Sequence, residues 1–320
     1  MNARARFGRA LIVANPTSQS GAGKAAAERL ARFLSLCLPE SDFELAFTEA
    51  AGHATDIAAR ARGFETVFAL GGDGTVHEVA NGLMAHAADR RPALAVVPVG
   101  SGNDYARTLG ILDWSGTDFS GLFSYEKRPM DVGRARFSDE KGAARTEHFV
   151  ETLSVGLDAA VALGTQDLRR STGLSGTPLY MASGLDVFGR GYRSFPARVS
   201  VDGTPAQERD LLVFAAQIGR TYGSGFLICP DADPCDGLLD LCYAEGPFPR
   251  AFALGIFLAA KSGRHTRFSR VKIGRAATVS LELREAGCPI QADGEQISAT
   301  GLEIDVLPGA LQVWQPASPR

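Results

Sequence analysis

Thr66-Val67-Phe68-Ala69-Leu70-Gly71-Gly72-Asp73-Gly74-Thr75-Val76-His77-Glu78 is the stretch on which the reading turns: an apolar run, two glycines, a carboxylate, a third glycine, then a helical pattern. Glycines let a backbone come within hydrogen-bonding distance of phosphates, and a carboxylate among them can hold the cation that neutralises those phosphates. An ordinary tight turn needs no such carboxylate. Glu78, Asn81 and Gly82 follow on the predicted helix.

Outward from that stretch the same unit repeats. Strands are predicted at Ala10–Ala14, 44–47, 66–70 and 94–99, with helices near 23–35, 53–62 and 76–85 between them. Strands joined by crossover helices make a mostly parallel α/β sheet. Ligand-facing loops then fall after the carboxyl ends of the strands, where backbone N–H groups and helix N-termini point outward.

Two more loops occupy such places. Pro98-Val99-Gly100-Ser101-Gly102-Asn103-Asp104 offers Ser101 and loop amides to an anion, with Asn103 and Asp104 as an N-cap or a metal-linked carboxylate. Asn15-Pro16-Thr17-Ser18 leads to Gly21-Ala22-Gly23-Lys24, which imitates a Walker A loop. Ser18 stands where its first glycine belongs and Ala25 where Ser or Thr would bind magnesium, so a phosphate-contacting loop survives and a P-loop fold does not. His77 and Tyr105 stand where a dinucleotide fingerprint needs its third glycine, and His77-Glu78-Val79-Ala80-Asn81 lacks the second histidine of a zincin.

After residue 128 the texture changes to strands, predicted at 130–137, 147–155, 197–201, 211–218, 238–243, 271–273, Thr278–Leu283 and 303–307, with fewer helices. That indicates a second domain on antiparallel sheet. Pro230-Asp231-Ala232-Asp233-Pro234-Cys235-Asp236-Gly237-Leu238-Leu239-Asp240 gathers four carboxylates around prolines and a glycine, either as a divalent-cation loop or as a solvated acidic turn. Ala292-Asp293-Gly294-Glu295 reads as a hairpin turn whose glutamate could take a proton from a hydroxyl. Lys261, Arg264, Arg267, Arg270, Lys272 and Arg275 form an acid-free strip, read first as a solvated face and second as a surface for anionic headgroups.

Bulk composition sets limits. The 320 residues are 45% apolar and carry a net charge of -3, with 33 basic against 36 acidic side chains, so no global field advertises nucleic acid as a partner. Cys37, Cys229, Cys235, Cys242 and Cys288 are scattered with no CxxC pair, against both a disulfide framework and a zinc site, and a reducing cytoplasm is the expected compartment. Residues 8–14 are too short for a signal-peptide core, and 251–260 is about half the ~20 apolar residues of a spanning helix. Contact with a membrane would be peripheral.

The ordered set Asn15-Pro16, Thr48, Gly52-His53-Ala54, Gly71-Gly72-Asp73-Gly74-Thr75, Gly100-Ser101-Gly102-Asn103-Asp104, Asp236-Gly237-Leu238-Leu239-Asp240 and Asp293-Gly294-Glu295 resembles the diacylglycerol kinase catalytic family, which includes sphingosine and ceramide kinases and bacterial lipid kinases. The resemblance spans nearly the whole chain. It implies an α/β nucleotide-binding domain similar to that of phosphofructokinase and NAD kinase, over 1–130 plus about 308–320, and a β-sandwich-like lipid domain over 131–307. ATP would lie in the cleft between them, and residues 312–314 would return to the first domain.

Residue by residue, the resemblance implies nucleotide contacts for Asn15, Pro16, Thr17, Ser18, Gln19, Thr48, Gly72, Asp73, Gly74, Thr75, Val76, His77, Glu78 and Ser101. Asp73 would lie nearest the catalytic Mg²⁺, supported by Asp104. Asp233, Asp236 and the Leu238 carbonyl match a structural magnesium site, and Glu295 matches the general base.

The implied reaction is transfer of the ATP γ-phosphate to a membrane lipid hydroxyl, diacylglycerol first among substrates, by a cytoplasmic enzyme peripheral at the membrane, and the resemblance allows a homodimer. A sphingosine- or ceramide-type kinase, an NAD kinase and a non-catalytic lipid-binding protein are the alternatives. The chain departs from the family at Glu151, where many bacterial members carry Asn, and at Ile218-Gly219, where they carry Asn-Gly.

Overall fold

The structure is a computed structural model that describes residues 7–37, 43–111 and 119–317. The chain divides into two compact units, residues 1–130 with 309–320, and residues 131–308.

The first unit is a parallel sheet with helical crossovers. In chain order it contains β1 (Ala10–Ala14), α1 (Ser18–Cys37), β2 (Phe43–Phe47), α2 (His53–Ala59), β3 (Thr66–Gly71), α3 (Asp73–Met84), β4 (Ala93–Pro98) and α4 (Asp104–Thr108). The strand order is β2-β1-β3-β4, every pair parallel. Every residue of β1, β3 and β4 is buried, which is why these strands read as unbroken apolar runs.

Val313 and Trp314 then pair in parallel with Leu94 and Ala95, giving β4 its outer neighbour from the far end of the chain. The Trp314 indole N–H donates to Thr66 Oγ1 at 3.1 Å, and its ring meets Phe7 edge-on at 4.8 Å. Two helices start earlier than their apolar periodicity suggests, α1 at Ser18 and α3 at Asp73. Loop residues form their first turns, so Asp73 stands at a helix N-terminus, where a negative charge is favoured.

The second unit carries β5 (Tyr125–Ser138, from Asp131 onward), β6 (Ala144–Phe149), β7 (Thr152–Gly156), α5 (Leu157–Thr172), α6 (Gly176–Arg190), β8 (Phe195–Val201) and β9 (Gln207–Gln217). There follow β10 (Thr221–Tyr222), β11 (Phe226–Leu227), β12 (Leu239–Glu245), α7 (Arg250–Ala260), β13 (Val271–Ala276), β14 (Thr278–Leu283), β15 (Ile290–Ala292), β16 (Glu295–Gln296) and β17 (Gly301–Pro316). Here the pairing is antiparallel, in the order β16-β15-β7-β9-β8-β14-β17, with β12 on β9 and β13 on β12. Phe149, Leu153, Phe214, Ile290 and Leu302 share its main core.

Two differences from the sequence reading matter. The single strand expected at 147–155 is two strands, broken at Val150-Glu151, because the Val150, Glu151 and Thr152 N–H groups all donate to the carboxylate of Asp293, at 2.8, 3.0 and 2.9 Å. The helical pair α5 and α6 was not expected, and with α7 it lays a second apolar layer against the sheet, including Leu157, Phe188, Leu212 and Ala253. No described helix is long and apolar enough to cross a membrane.

Candidate functional site

Three loops meet at the carboxyl ends of β1, β3 and β4, held by direct contacts. Asn15 donates its backbone N–H to Leu70 O at 2.9 Å, and its side-chain Oδ1 accepts both the N–H and the hydroxyl of Thr17, at 3.0 and 2.9 Å. The Pro16 carbonyl accepts Lys24 N–H at 3.3 Å, and Ser18 N–H reaches Asn15 O at 3.3 Å. Gln19 donates its amide to Gly100 O at 2.7 Å, tying the first loop to the third. Thr48, at the end of β2, donates its N–H to Ala14 O at 2.9 Å.

The second and third loops touch through their glycines. A Cβ on Gly72 would lie 3.2 Å from Gly100 Cα, so the two backbones approach as only glycines permit. Asn103 does not cap α4 in the expected way: its backbone is left-handed (φ 53°), and its side chain turns back to accept Gly100 N–H and donate to Gly100 O, both at 2.9 Å. The Asn103 amide thereby shapes the Gly100–Ser101–Gly102 bend. Arg107 fastens the other side, donating to Gly102 O at 2.5 Å and pairing with Asp104 at 3.3 Å.

Asp73 lies among these loops, partly buried, with the Tyr105 N–H reaching Oδ1 at 3.4 Å. Loss of water pushes its carboxyl up to about 7, the neighbouring Asp104 charge pushes the same way, and N–H groups of Tyr105, Asp104 and Asn103 oppose both. A carboxyl so reluctant to ionise beside a second carboxylate is an arrangement that a divalent cation relieves. The donor set therefore fits Mg²⁺, which is commonly held by one or two carboxylates together with substrate phosphates.

Not every expected nucleotide residue faces this place in the same way. Gly74 follows Asp73 in the first turn of α3 and is partly exposed, whereas Thr75, Val76 and His77 are buried. Ser101 is partly exposed at the loop tip. Glu78 is occupied structurally: its two carboxylate oxygens accept the N–H groups of Gly52 and Ala54, at 2.9 and 3.0 Å, and so cap α2. Sequence reading missed Gln19 as a loop tie and Arg107 altogether.

In the second unit, Asp293 (φ 48°) and Gly294 (φ 96°) are the two central residues of the β15–β16 hairpin, a left-handed pair as a type I′ turn demands. The Asp293 carboxylate anchors the turn to β7, and Gly294 N–H donates to Gln291 Oε1 at 2.6 Å. Glu295 follows, exposed. Glu151 is buried, and its carboxylate fills the space that any side chain at 219 would need, so the glycine kept from the family pattern at 219 makes room for the departure at 151.

An apolar cavity of about 80 Å³ lies in the same unit, walled by Leu157, Val161, Phe188, Leu212, Phe226 and Phe257. At its wall the Tyr222 hydroxyl donates to Asp158 at 2.5 Å, and burial pushes the Asp158 carboxyl up to about 6.

The basic strip is not one surface. Lys261 donates to Ser224 O at 2.6 Å and Thr177 Oγ1 at 3.1 Å, and Arg275 pairs with Asp236 and Asp240, whereas Arg264, Arg267, Arg270 and Lys272 are exposed. Cys229, Cys242 and Cys288 are buried free thiols and Cys235 is an exposed one.

The expected magnesium ligands of the second unit are engaged with protein groups. Asp233 Oδ1 accepts Cys235 N–H at 3.1 Å, Asp236 Oδ1 accepts Leu238 N–H at 3.1 Å, and Asp236 Oδ2 pairs with Arg275 at 3.2 Å. Among the described residues no three His, Cys, Asp or Glu side chains are gathered as metal ligands would be. Asp233, Asp236 and the Leu238 carbonyl, as arranged, do not fit a divalent cation.

Comparison with known proteins identifies the family to which the two domains belong. The diacylglycerol kinase catalytic domain matches residues 9–135, and the YegS C-terminal NAD kinase beta sandwich-like domain matches residues 151–315. A diacylglycerol kinase of Mycobacterium tuberculosis is 31% identical over 314 residues, covering 98% of this chain and 97% of that protein. A Pseudomonas aeruginosa protein named "probable lipid kinase YegS-like" is 31% identical over 260 residues, covering 81% of this chain and 79% of the other. A crystal structure of a diacylglycerol kinase from Bacillus anthracis superposes with a TM-score of 0.74 at 22% identity, covering 97% of each chain, which speaks for the fold. With an α/β catalytic domain followed by a β-sandwich-like domain, this chain belongs to the diacylglycerol kinase catalytic family, the phosphotransferases that take an alcohol as acceptor.

Proposed function

We propose that the chain transfers the γ-phosphate of ATP to the hydroxyl of a membrane lipid, with diacylglycerol as the first candidate. The observation that carries this reading is the Asp73–Asp104 pair set among the Gly72, Gly100 and Asn15 loops. Such a site has carboxylates for a cation and close-lying backbone for phosphates, which is what a nucleoside triphosphate presents. Asp73, supported by Asp104, would hold Mg²⁺, and the bound ion neutralises charge on the phosphates.

The acceptor side rests on the second unit. The mostly apolar cavity lined from α5, α6 and α7 suits part of an acyl chain better than the polar surface of a dinucleotide, which favours a lipid over NAD. Glu295, presented on its hairpin, takes the proton as the lipid oxygen bonds to the γ-phosphorus and the bond to the departing ADP oxygen breaks. A carboxylate is a weak base towards an alcohol, so this transfer comes late and positioning contributes most of the rate. An enzyme built this way works at one face of a membrane, from solution.

The test is ADP release by the purified chain with Mg-ATP and micellar diacylglycerol, monoacylglycerol, sphingosine, ceramide or phosphatidylglycerol, beside NAD and a no-acceptor control. Phosphate appearing on one lipid establishes the reaction. Phosphate on NAD with none on any lipid would replace this reading with an NAD kinase, and lipid binding without ADP release would replace it with a lipid sensor.

A further inference from the structure

The misfit at the acidic loop between β11 and β12 has a physical cause on the neighbouring strand. The pairing of β12 with β13 sets Arg275 opposite Asp240. From there its guanidinium reaches Asp240 Oδ1 with Nε at 3.1 Å, Asp236 Oδ2 with Nη1 at 3.2 Å and the Asp231 carbonyl with Nη2 at 3.2 Å. We propose that Arg275 is the loop's own cation, so that the second unit is ordered without a metal and, resting on the function proposed above, Mg²⁺ is needed at the nucleotide loops alone.

The chemistry of the donors supports the exchange. Asp231, Asp233, Asp236 and Asp240 put four carboxylates into ten residues, and the Asp240 side chain is only 5% exposed, so a nearby charge of opposite sign favours its ionised form against burial. A guanidinium stays protonated at any working pH, and its planar fork can serve three oxygens from one position. Mg²⁺ demands a near-octahedral set of oxygens at ~2.0–2.1 Å, whereas Asp233 and Asp236 have each turned an oxygen back onto the loop's own N–H groups.

Other protein groups complete the closure. Asp131 accepts Gly237 N–H at 2.7 Å and donates its own N–H to Pro234 O at 2.8 Å, and Arg220 donates to Ala232 O at 2.9 Å. The loop is thus held from β5, from the segment after β9 and from β13, all within the second unit.

Thermal unfolding of the nucleotide-free chain in EDTA and in millimolar MgCl2 tests this, with Asp73→Asn as the background that removes the other candidate ion site. In that background the midpoint should be the same in both buffers. Arg275→Gln should lower it by several degrees in EDTA and recover a good part of the loss in MgCl2, because the freed carboxylates can then take the ion; Arg275→Lys should lose less than Arg275→Gln. A midpoint that falls in EDTA in the Asp73→Asn chain, and ceases to do so when Asp236→Asn is added, would overturn the proposal in favour of a resident metal. An Arg275→Gln chain that is unchanged, or is equally weakened in both buffers, would overturn it as well, by reducing Arg275 to a packing residue.

Discussion

Gly72 and Gly100 stand back to back: a Cβ on the first would lie 3.2 Å from the Cα of the second, and a Cβ on Gly100 would overlap Gly72 Cα. Two strand-end loops therefore share one narrow space, and the close approach is with backbone, which cannot swing aside. Gly100→Ala should weaken Mg-ATP binding by at least ~10-fold, the scale of about 1.4 kcal/mol of misplaced loop contacts. Titration calorimetry with a non-hydrolysable ATP analogue measures it, and unchanged affinity would show that the loops do not cradle phosphate.

Asp73 makes a pH prediction whose sign follows from its shift. Its carboxyl ionises near 3.8 when unfolded and near 7 when folded, so between those values the folded chain binds the extra proton and stability falls as pH rises, levelling off above about 7. Asp73→Asn removes that penalty. The difference in melting temperature between variant and wild type, without metal, should therefore move in the variant's favour from pH 5 to pH 8. Added Mg²⁺ should shrink the difference at pH 8, and a pH-independent difference would contradict the shift.

Glu295→Gln should leave ATP affinity intact and cut turnover at least ~100-fold, the usual effect of removing a general base. Single-turnover phosphorylation of the preferred lipid separates this from slow product release. Near-wild-type turnover would remove Glu295 from the chemistry.

Asp293→Ala leaves three backbone N–H groups, those of Val150, Glu151 and Thr152, without their acceptor. A destabilisation of at least about 2 kcal/mol is expected, measurable by urea unfolding, since all three orphaned donors belong to buried residues. Turnover should fall as well, because the same carboxylate anchors the hairpin that carries Glu295. Full stability in this variant would mean that the β6–β7 break is held by something else.

The first unit was legible because β1, β3 and β4 are buried on both faces and its candidate ligand loops announce themselves by glycine and aspartate at strand ends. Local chemistry also revealed the Asp293-Gly294 hairpin. What could not be read was everything fixed by partners distant in sequence. Glu78 looks like a ligand residue until Gly52 and Ala54, more than twenty residues upstream, are seen to claim its carboxylate. The break in the 147–155 strand comes from Asp293, more than 140 residues downstream. Helix α5 buries chiefly its first turns, at Leu157, Ala159 and Val161, so its polar remainder gave no sustained apolar stripe. Asp233 and Asp236 suggested a metal because Arg275, a neighbour only through the β12–β13 pairing, was not yet beside them.

Strand β17 sets a timetable for synthesis. Residues 301–305 pair with β14, while Val313 and Trp314 complete the sheet of the other unit beside β4. Residues 131–308 must be made in between, 178 residues, which at ~5–20 residues per second takes on the order of ten seconds or more. Throughout that interval Leu94 and Ala95 present a bare strand edge to solvent or to a chaperone, so the nascent chain is most open to misassembly after the residues proposed here to bind nucleotide have already left the ribosome.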